Sequence, residues 1–360
     1  MASMHEGDHE DTQSSSPLPD DVIFEILTRA SLEALPACRR VCRQWRRLTY
    51  DPFFTSLHCN RTQTISGYFL QRLRRNHSYS SFVSIQPLPP SVRPLSLDFL
   101  PKDVKIEAVG CRGIVLCTSQ EYHGIPRYYV CKPATRQWRW IPNPKTRYLT
   151  ERIAILASST GALKYKIIRF SQPKQKFDYL RCEIFDSQSQ AWRRSRDVQL
   201  PPGSLRHEAA VSVHGALHWL TYGGGIFAFD IHEESWKLIL LPEEVGEDEM
   251  RWDCRKLVKC EGRLCLVLLE KERMEIWTMA NYKEQRWEKR KVVSLEAIME
   301  ENPALSIQDV YSSDVAFMDS FFGVIWYDFL GSVLAKIDID YPFAREVFKF
   351  ESESDAVSME

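Results

Sequence analysis

The sequence predicts an α+β multidomain chain: a small N-terminal three-helix head, then an all-β, propeller-like repeat body of about six blades, with a β-sandwich as the alternative. Three observations carry this. Between residues 17 and 50 apolar residues fall at helical spacing. After Tyr50 the texture changes to short β-branched and aromatic runs, closely punctuated by turn residues. Within this β-rich region a pair of turn-linked signals recurs roughly every 50 residues, the spacing of a repeat architecture.

Composition bounds the problem. The 360 residues are 44% apolar and 26% charged, ordinary values for a globular protein. No run approaches 18 uncharged apolar residues, which argues against a membrane-spanning helix. The first ten residues have neither a basic start nor an apolar core, so no secretory signal is expected. The net charge of −1 hides a division. Glu6, Asp8, Glu10 and Asp11 stand unopposed in residues 1–16, and Glu351, Glu353, Asp355 and Glu360 in residues 351–360. Without these eight acids the middle of the chain carries +7. Both ends read as disordered acidic tails. The ten cysteines, several in apolar settings such as Cys117 and Cys265, read as reduced thiols of a cytoplasmic or nuclear protein.

The head spans residues 17–60. Pro19 pre-sets a first helical turn, and Asp20 and Asp21 suit the positive end of a helix. Val22, Ile23, Ile26 and Leu27 then share helical spacing. Ser31 is placed to cap a second, short helix, which Pro36 shortens or divides. Val41, Cys42, Trp45 and Leu48 form the apolar stripe of a third helix, with Arg39, Arg40, Arg43, Arg46 and Arg47 on its other faces. Chains of about 40 residues rarely close a core alone. With no disulfide or metal set in reach, a protein partner is the physical expectation. The bland alternative is a helical lid on the body. A nucleic-acid surface built on the arginines is a further one, although flanking charges on a helix are usually a solvated face.

The order Leu18-Pro19, Val22-Ile23, Ile26-Leu27, then Val41-Cys42-Arg43-Gln44-Trp45-Arg46-Arg47-Leu48 resembles the F-box motif over its whole length. The resemblance implies docking on a Skp-family adaptor, and through it on cullin and RING subunits of a ubiquitin ligase. It assigns Leu18, Pro19, Val22, Ile26, Leu27, Val41, Cys42 and Trp45 to the motif core and adaptor surface.

The body spans residues 61–350. The first repeat signal is Gly-x-aliphatic at Gly113, Gly161, Gly215, Gly262 and Gly323. The second is a polar turn residue six positions before a tryptophan: Lys132 and Trp138, Asp186 and Trp192, Asp230 and Trp236, Asn281 and Trp287. A degenerate copy starts at Asp338, with Ala344 in the tryptophan place. An Asp or Asn ending an apolar run starts a turn. The tryptophan then re-enters on the next strand, where its ring packs between sheets. Units of this size with four strands stack as propeller blades.

This body also resembles the F-box-associated domain of plant F-box proteins, from about Ile65 to Phe350. The matching segments are Lys132-Pro133-Ala134-Thr135-Arg136-Gln137-Trp138, Tyr165-Lys166-Ile167-Ile168, Gly215-Ala216-Leu217-His218-Trp219-Leu220 and the opening Ile65-Ser66-Gly67-Tyr68-Phe69. Lys132 replaces the family's usual Asn, so that turn should lack a side-chain bond to backbone.

Little local chemistry stands out. His214 and His218 are read as neighbours on one strand face without a third metal ligand. Gly223-Gly224-Gly225 precedes a strand and reads as a flexible turn. No Gly-x-Ser-x-Gly elbow or activated Cys–His pair is evident. The expectation is therefore a non-catalytic chain without metal or cofactor. The two resemblances imply a substrate receptor of an SCF-type cullin–RING ligase, with an unidentified protein target and no membrane partner. An adaptor-binding scaffold outside a ligase is the alternative, and a nucleic-acid binder comes third. Loops 171–177 and 242–250 are candidates for target contact.

Overall fold

The computed structural model describes residues 18–30, 34–62, 64–74, 77–84, 95–119, 125–158, 163–173, 178–245, 254–302, 304–312, 314–321, 323–339 and 346–353. The chain divides into two compact units, Met1–Thr62 and Gln63–Glu360. The N-terminal tail expected over 1–16, and Ser31 and Leu32, lie outside the described residues.

Among the described residues the first unit has four helices rather than three: α1 (Asp20–Leu27), α2 (Leu35–Cys38), α3 (Arg43–Tyr50) and α4 (Pro52–Thr62). Pro19 takes the N-cap position of α1, and its carbonyl accepts from the N–H groups of Val22 and Ile23. Pro36 falls in the first turn of α2, which is four residues long. The fourth helix begins at an Asp-Pro signal. Asp51 Oδ1 accepts from the backbone of Phe53 at 2.8 Å and Phe54 at 3.3 Å, a side-chain N-cap. That helix contributes Phe54, which completes a small core with Ile23, Leu27 and Leu35.

The second unit is a six-bladed β-propeller. Blade 1 is the three-stranded sheet of β1 (Thr64–Arg74), β2 (His77–Val83) and the last strand, β23 (Glu346–Glu353). Blade 2 is β3 (Val104–Val109), β4 (Val115–Ser119), β5 (Tyr128–Lys132) and β6 (Gln137–Ile141). Blade 3 is β7 (Leu149–Ala157), β8 (Tyr165–Gln172), β9 (Arg181–Asp186) and β10 (Ala191–Arg194). Blade 4 is β11 (Val211–Val213), β12 (Ala216–Leu220), β13 (Gly225–Asp230) and β14 (Ser235–Leu240). Blade 5 is β15 (Arg255–Cys260), β16 (Arg263–Glu270), β17 (Arg273–Asn281) and β18 (Arg286–Ser294). Blade 6 is β19 (Ser306–Ser312), β20 (Val315–Ser320), β21 (Gly323–Asp328) and β22 (Ser332–Asp338). All ladders are antiparallel, and the leading strands β23, β3, β7, β11, β15 and β19 surround the axis.

Each blade buries its faces only against its neighbours. Six apolar clusters lie one to each seam: Ile106 and Phe350 between blades 1 and 2, Val130 and Ile167 between 2 and 3, and Phe170 and Phe227 between 3 and 4. Ile226 and Leu266, Ile276 and Met318, and Tyr68 and Phe317 mark the remaining three. This arrangement replaces the β-sandwich alternative, which would have a single core between two sheets.

The two repeat signals are two turns. Arg112-Gly113, His214-Gly215 and Glu261-Gly262 each pair left-handed residues, with φ from 49° to 75°, between the first and second strands of a blade. Consecutive positive φ values are what a two-residue hairpin turn needs, and glycine supplies the second without strain. At the other turn, Asp186, Asp230 and Asn281 accept backbone N–H bonds two residues on at 2.8, 2.9 and 3.0 Å. After Lys132 the bend is instead a 3₁₀ turn through Pro133–Thr135, as expected where the side-chain acceptor is missing.

Two sequence expectations are corrected. Gly323 begins the third strand of blade 6, not the second; Asp314 stands in the glycine position, its carbonyl accepting from Phe329 as Gly215 accepts from Ile231. The sixth-blade turn is accordingly Asp328, whose Oδ1 accepts from Leu330 at 3.1 Å, and Leu334 holds the tryptophan place. Asp338 is the end of β22, and Ala344 lies outside the described residues. The acidic tail expected over 351–360 is also corrected at its start, and residues 354–360 lie outside the described residues. Glu351 and Ser352 are paired with Ser66 and Ile65 in the closing strand, because the ring needs those residues to finish its first blade.

Candidate functional site

The first unit presents α1 as a helix apolar on two sides. Ile23 and Leu27, four residues apart, are fully buried against Leu35 and Phe54. Leu18, Val22 and Ile26, also four apart, point outward, and Ile26 is 51% exposed. Val41, between α2 and α3, is 61% exposed, and Phe53 is also exposed. A helix needs one apolar stripe to fold and leaves the opposite side polar unless something covers it. Here the outer stripe of α1 stays apolar and exposed.

The structure divides the eight F-box positions. Leu18, Pro19, Val22, Ile26, Val41 and Cys42 are exposed. Leu27 is 1% exposed and belongs to the internal core, so its place in an adaptor surface is corrected. Trp45 is partly buried against that core from α3. Cys42 is the N-cap of α3, and its Sγ accepts from the Trp45 N–H at 3.4 Å.

Polar contacts hold the helices around this surface. Gln44 donates to Asp20, tying the start of α3 to the start of α1. His58 Nε2 lies 2.8 Å from the Ala30 carbonyl, and Arg61 donates to Glu25 and Thr28 at 2.6 Å each. The Arg61 and Arg29 bonds hold the Glu25 carboxyl below its ordinary range. Burial pushes the His58 imidazole down. The sequence reading missed Phe54, His58 and Arg61, although Asp51-Pro52 was a usable helix-start signal.

In the propeller a polar cluster lies at the entrance formed by the starts of the leading strands. His207, just before β11, places Nδ1 3.0 Å from Glu346 Oε1 at the start of β23. Those strands belong to blades 4 and 1, on opposite sides of the ring. Lys105 approaches the same carboxylate at 3.8 Å, and Gln71 donates to it. Burial alone would raise the Glu346 pKa, but the bonds and charges of His207, Lys105 and Gln71 outweigh it and hold it low. Glu208 binds Arg206 at 3.2 Å and Lys256 at 3.6 Å. Arg206 donates to the Arg255 carbonyl at 2.9 Å, and Arg152 reaches the carbonyls of Leu205 and Arg206. The segment before β11 therefore crosses the mouth and is pinned to three other blades, 1, 3 and 5. These charges satisfy each other, which suits a rigid closure better than proton transfer.

His214 and His218 are not partners on a strand face. His214 lies in the hairpin turn between β11 and β12, since that turn needs a residue at positive φ before Gly215. His218 is buried, its Nδ1 3.0 Å from the Val211 carbonyl and its Nε2 2.7 Å from the Tyr282 hydroxyl. Burial lowers its pKa to about 4. Both rings pack on Tyr282, at 4.8 and 5.5 Å. Thr221 and Gly225 bond to each other across the glycine turn, which joins β12 to β13. Of the candidate target loops, residues 174–177 and 246–250 fall outside the described residues.

The four repeat tryptophans differ. Trp192 is buried and donates Nε1 to the Pro142 carbonyl at 2.7 Å, the residue leaving the outer strand of the preceding blade. Trp287 does the same to Leu240 at 3.0 Å, and Trp236 packs beside Phe227. Trp138 is 43% exposed instead of lying between sheets. The blade before it is three-stranded among the described residues.

Comparison with known proteins agrees with both halves of this picture. Residues 16–60 match an F-box-like model, and residues 73–323 match the F-box associated beta propeller domain. An F-box protein of Arabidopsis thaliana is 32% identical over 306 residues, 80% of this chain and 82% of the relative. A second Arabidopsis thaliana F-box protein is 37% identical over 167 residues, 44% of this chain and 88% of its own. With two helical faces, six stacked blades and these matches in register, the chain belongs to the F-box proteins that carry an F-box-associated β-propeller domain.

Proposed function

We propose that this chain is the substrate-receptor subunit of an SCF-type cullin–RING ubiquitin ligase. The helical unit seats a Skp-family adaptor on Leu18, Pro19, Val22, Ile26 and Val41, and the propeller holds a target protein. The observation that supports this is the outer stripe of α1, a full apolar face exposed beside a packed one. The chain contributes no bond-making residue of its own. Its effect is proximity: a target held beside a charged ubiquitin-conjugating enzyme presents its lysines at high effective concentration. The free thiols of the described cysteines accord with a reducing compartment, cytoplasm or nucleus.

A pull-down of the full chain with a recombinant Skp-family adaptor tests the reading. Wild type binds, and Trp45→Ala, which loosens α3 beneath the surface, weakens binding by at least about 2 kcal/mol. Circular dichroism of the same variant retains the β signal. Failure of the wild type to bind overturns the receptor assignment.

A further inference from the structure

Three cations gather at the seam between blades 4 and 5, at the end of the ring away from the mouth. Lys237 on β14, Lys259 near the end of β15 and Arg263 opening β16 are exposed, and none has an ion-pair partner among the described residues. Elsewhere on blade 5 cations are paired: Arg286 with Glu288, Lys289 with Glu275, Arg290 with Glu261 and Lys291 with Asp314. The stretches that build this end of the seam, 178–245 and 254–302, are described without a break, and β14 and β15 are joined at their mouth-side ends.

Register places the cluster. Val211, His218, Ala228 and Lys237 stand opposite one another across blade 4, so Lys237 shares the face of Ala228, which packs toward blade 5. Lys259 stands opposite Leu264, a member of the same apolar cluster, and so faces blade 4. Tyr282, in the turn after β17, lies between them. The Lys237 Nζ is 4.5 Å from its ring centroid, and the His214 ring is 4.8 Å away. The Tyr282 hydroxyl is committed inward: His218 Nδ1 donates to the Val211 carbonyl, so Nε2 accepts from the Tyr282 O–H at 2.7 Å. Burial, and then the charges of Arg263 and Lys259, push the His214 imidazole down. At this end the blade 4 face carries one carboxylate among the described residues, Asp230, whose Oδ1 accepts from the His232 and Glu233 N–H groups at 2.9 Å each. Glu261 is taken by Arg290, and Glu284 stands beside Lys283.

We propose that this seam binds a phosphate monoester, held by Lys237, Lys259 and Arg263 with His214 beside them. Three cations against the Asp230 carboxylate leave two positive charges uncompensated. A phosphate monoester brings close to two negative charges on one compact group at neutral pH. Ammonium and guanidinium groups bond its oxygens with charge assistance, and neutral His214 offers a ring N–H. A single carboxylate would compensate only half of the site. A nucleic-acid strand instead spreads one charge per phosphate along a line, and exposed Glu233 and Glu284 in the flanking turns oppose such a chain. The monoester belongs either to a small phosphorylated molecule or to a phosphorylated side chain of a bound polypeptide, since the recognising chemistry is the same. The site is built by the propeller alone and does not depend on adaptor docking.

The test follows the His214 ring proton of the full-length protein by NMR, assigned with His214→Gln, during titration with inorganic phosphate and with O-phosphoserine at constant ionic strength. Both should raise the His214 pKa by about half a unit or more, because a bound dianion favours the imidazolium, whereas acetate should not. Lys237→Glu/Lys259→Glu should weaken phosphate binding at least about tenfold, with thermal unfolding unchanged within a few degrees. Arg263→Gln, which alters a different strand, should weaken it in the same direction. A degenerate phosphoserine dodecapeptide and its unphosphorylated twin separate the sources. Binding at least about tenfold tighter than O-phosphoserine, lost in the twin, assigns the monoester to a polypeptide, and equal binding assigns it to a small molecule. An unmoved His214 in phosphate, an equal shift in acetate, or undiminished phosphate binding by the lysine variant overturns the proposal. So does a labelled single strand of about 30 nucleotides that binds more tightly than every monoester and is lost in the same variant.

Discussion

The helical unit and the propeller use apolar surface in opposite ways. In the propeller every large apolar cluster is shared between two blades, and the ring leaves no blade face without a neighbour until the outer rim. In the helical unit Ile23, Leu27, Leu35 and Phe54 are the buried apolar core among the described residues, and nearly as many apolar side chains face outward. Burial at about 25 cal/mol per Å² makes the first arrangement self-sufficient and the second dependent on a partner. The difference teaches where binding is built: at a surface the fold could have buried but did not.

Substitutions that separate the two halves sharpen this contrast. The largest effect is expected in the propeller at the buried ion pair of Arg169 and Glu183, whose carboxylate also accepts from Thr146. Glu183→Ala leaves the guanidinium unpaired and should cost about 3–5 kcal/mol in chemical denaturation, while adaptor binding is untouched. An unchanged midpoint would break the claim that blade 3 relies on that pair.

Phe54→Ala should cost about 3 kcal/mol. In a core of four residues this unfolds the helical unit and abolishes adaptor binding, while the β signal and the main thermal transition persist. A single cooperative loss of both would show that the halves are coupled.

His218 comes next. Its folded pKa of about 4 lies below the unfolded value near 6.5, so the unfolded chain binds the extra proton between those pH values. Stability therefore falls as pH drops from about 6.5 to 4, by roughly 2–3 kcal/mol from this group. His218→Gln should flatten that slope when denaturation midpoints are compared across the window. The smallest stability effect belongs to Val22→Ser/Ile26→Ser, within about 0.5 kcal/mol. The same pair should nonetheless remove adaptor binding in the pull-down.

Much of the fold was legible because its signals are local. Pro19 and the aliphatic pairs announced α1, and the spacing from Asp or Asn to Trp announced hairpins whose turn geometry Asp230 and Asn281 now display. The phase of blade 6 was misread because Asp314 replaces the turn glycine while an unrelated glycine, Gly323, begins the next strand. The closing of the ring left no local mark, since β1 and β23 meet through pairings such as Gly67 with Phe350. The clasp of His207 and Glu346 was invisible for the same reason. Neither residue has a motif, and only the assembled ring brings opposite blades together. The apolar pairs of α1 were legible in the sequence, but period alone could not say that Leu27 turns inward while Ile26 turns outward.

The pairing of β1 with β23 also sets a timetable. During synthesis the helical unit leaves the ribosome with its short-range contacts all present and can fold at once. Thr64 must wait for Glu353, almost the whole length of the chain later, before blade 1 exists. Such long-range pairing is slow to form, and until it does the apolar faces of blades 1 and 6 stand open to aggregation and chaperones. A chain stopped before β23 would keep the helical unit and leave the ring unsealed. On the proposed reading such a product would occupy an adaptor without a finished propeller, and so compete with the intact protein.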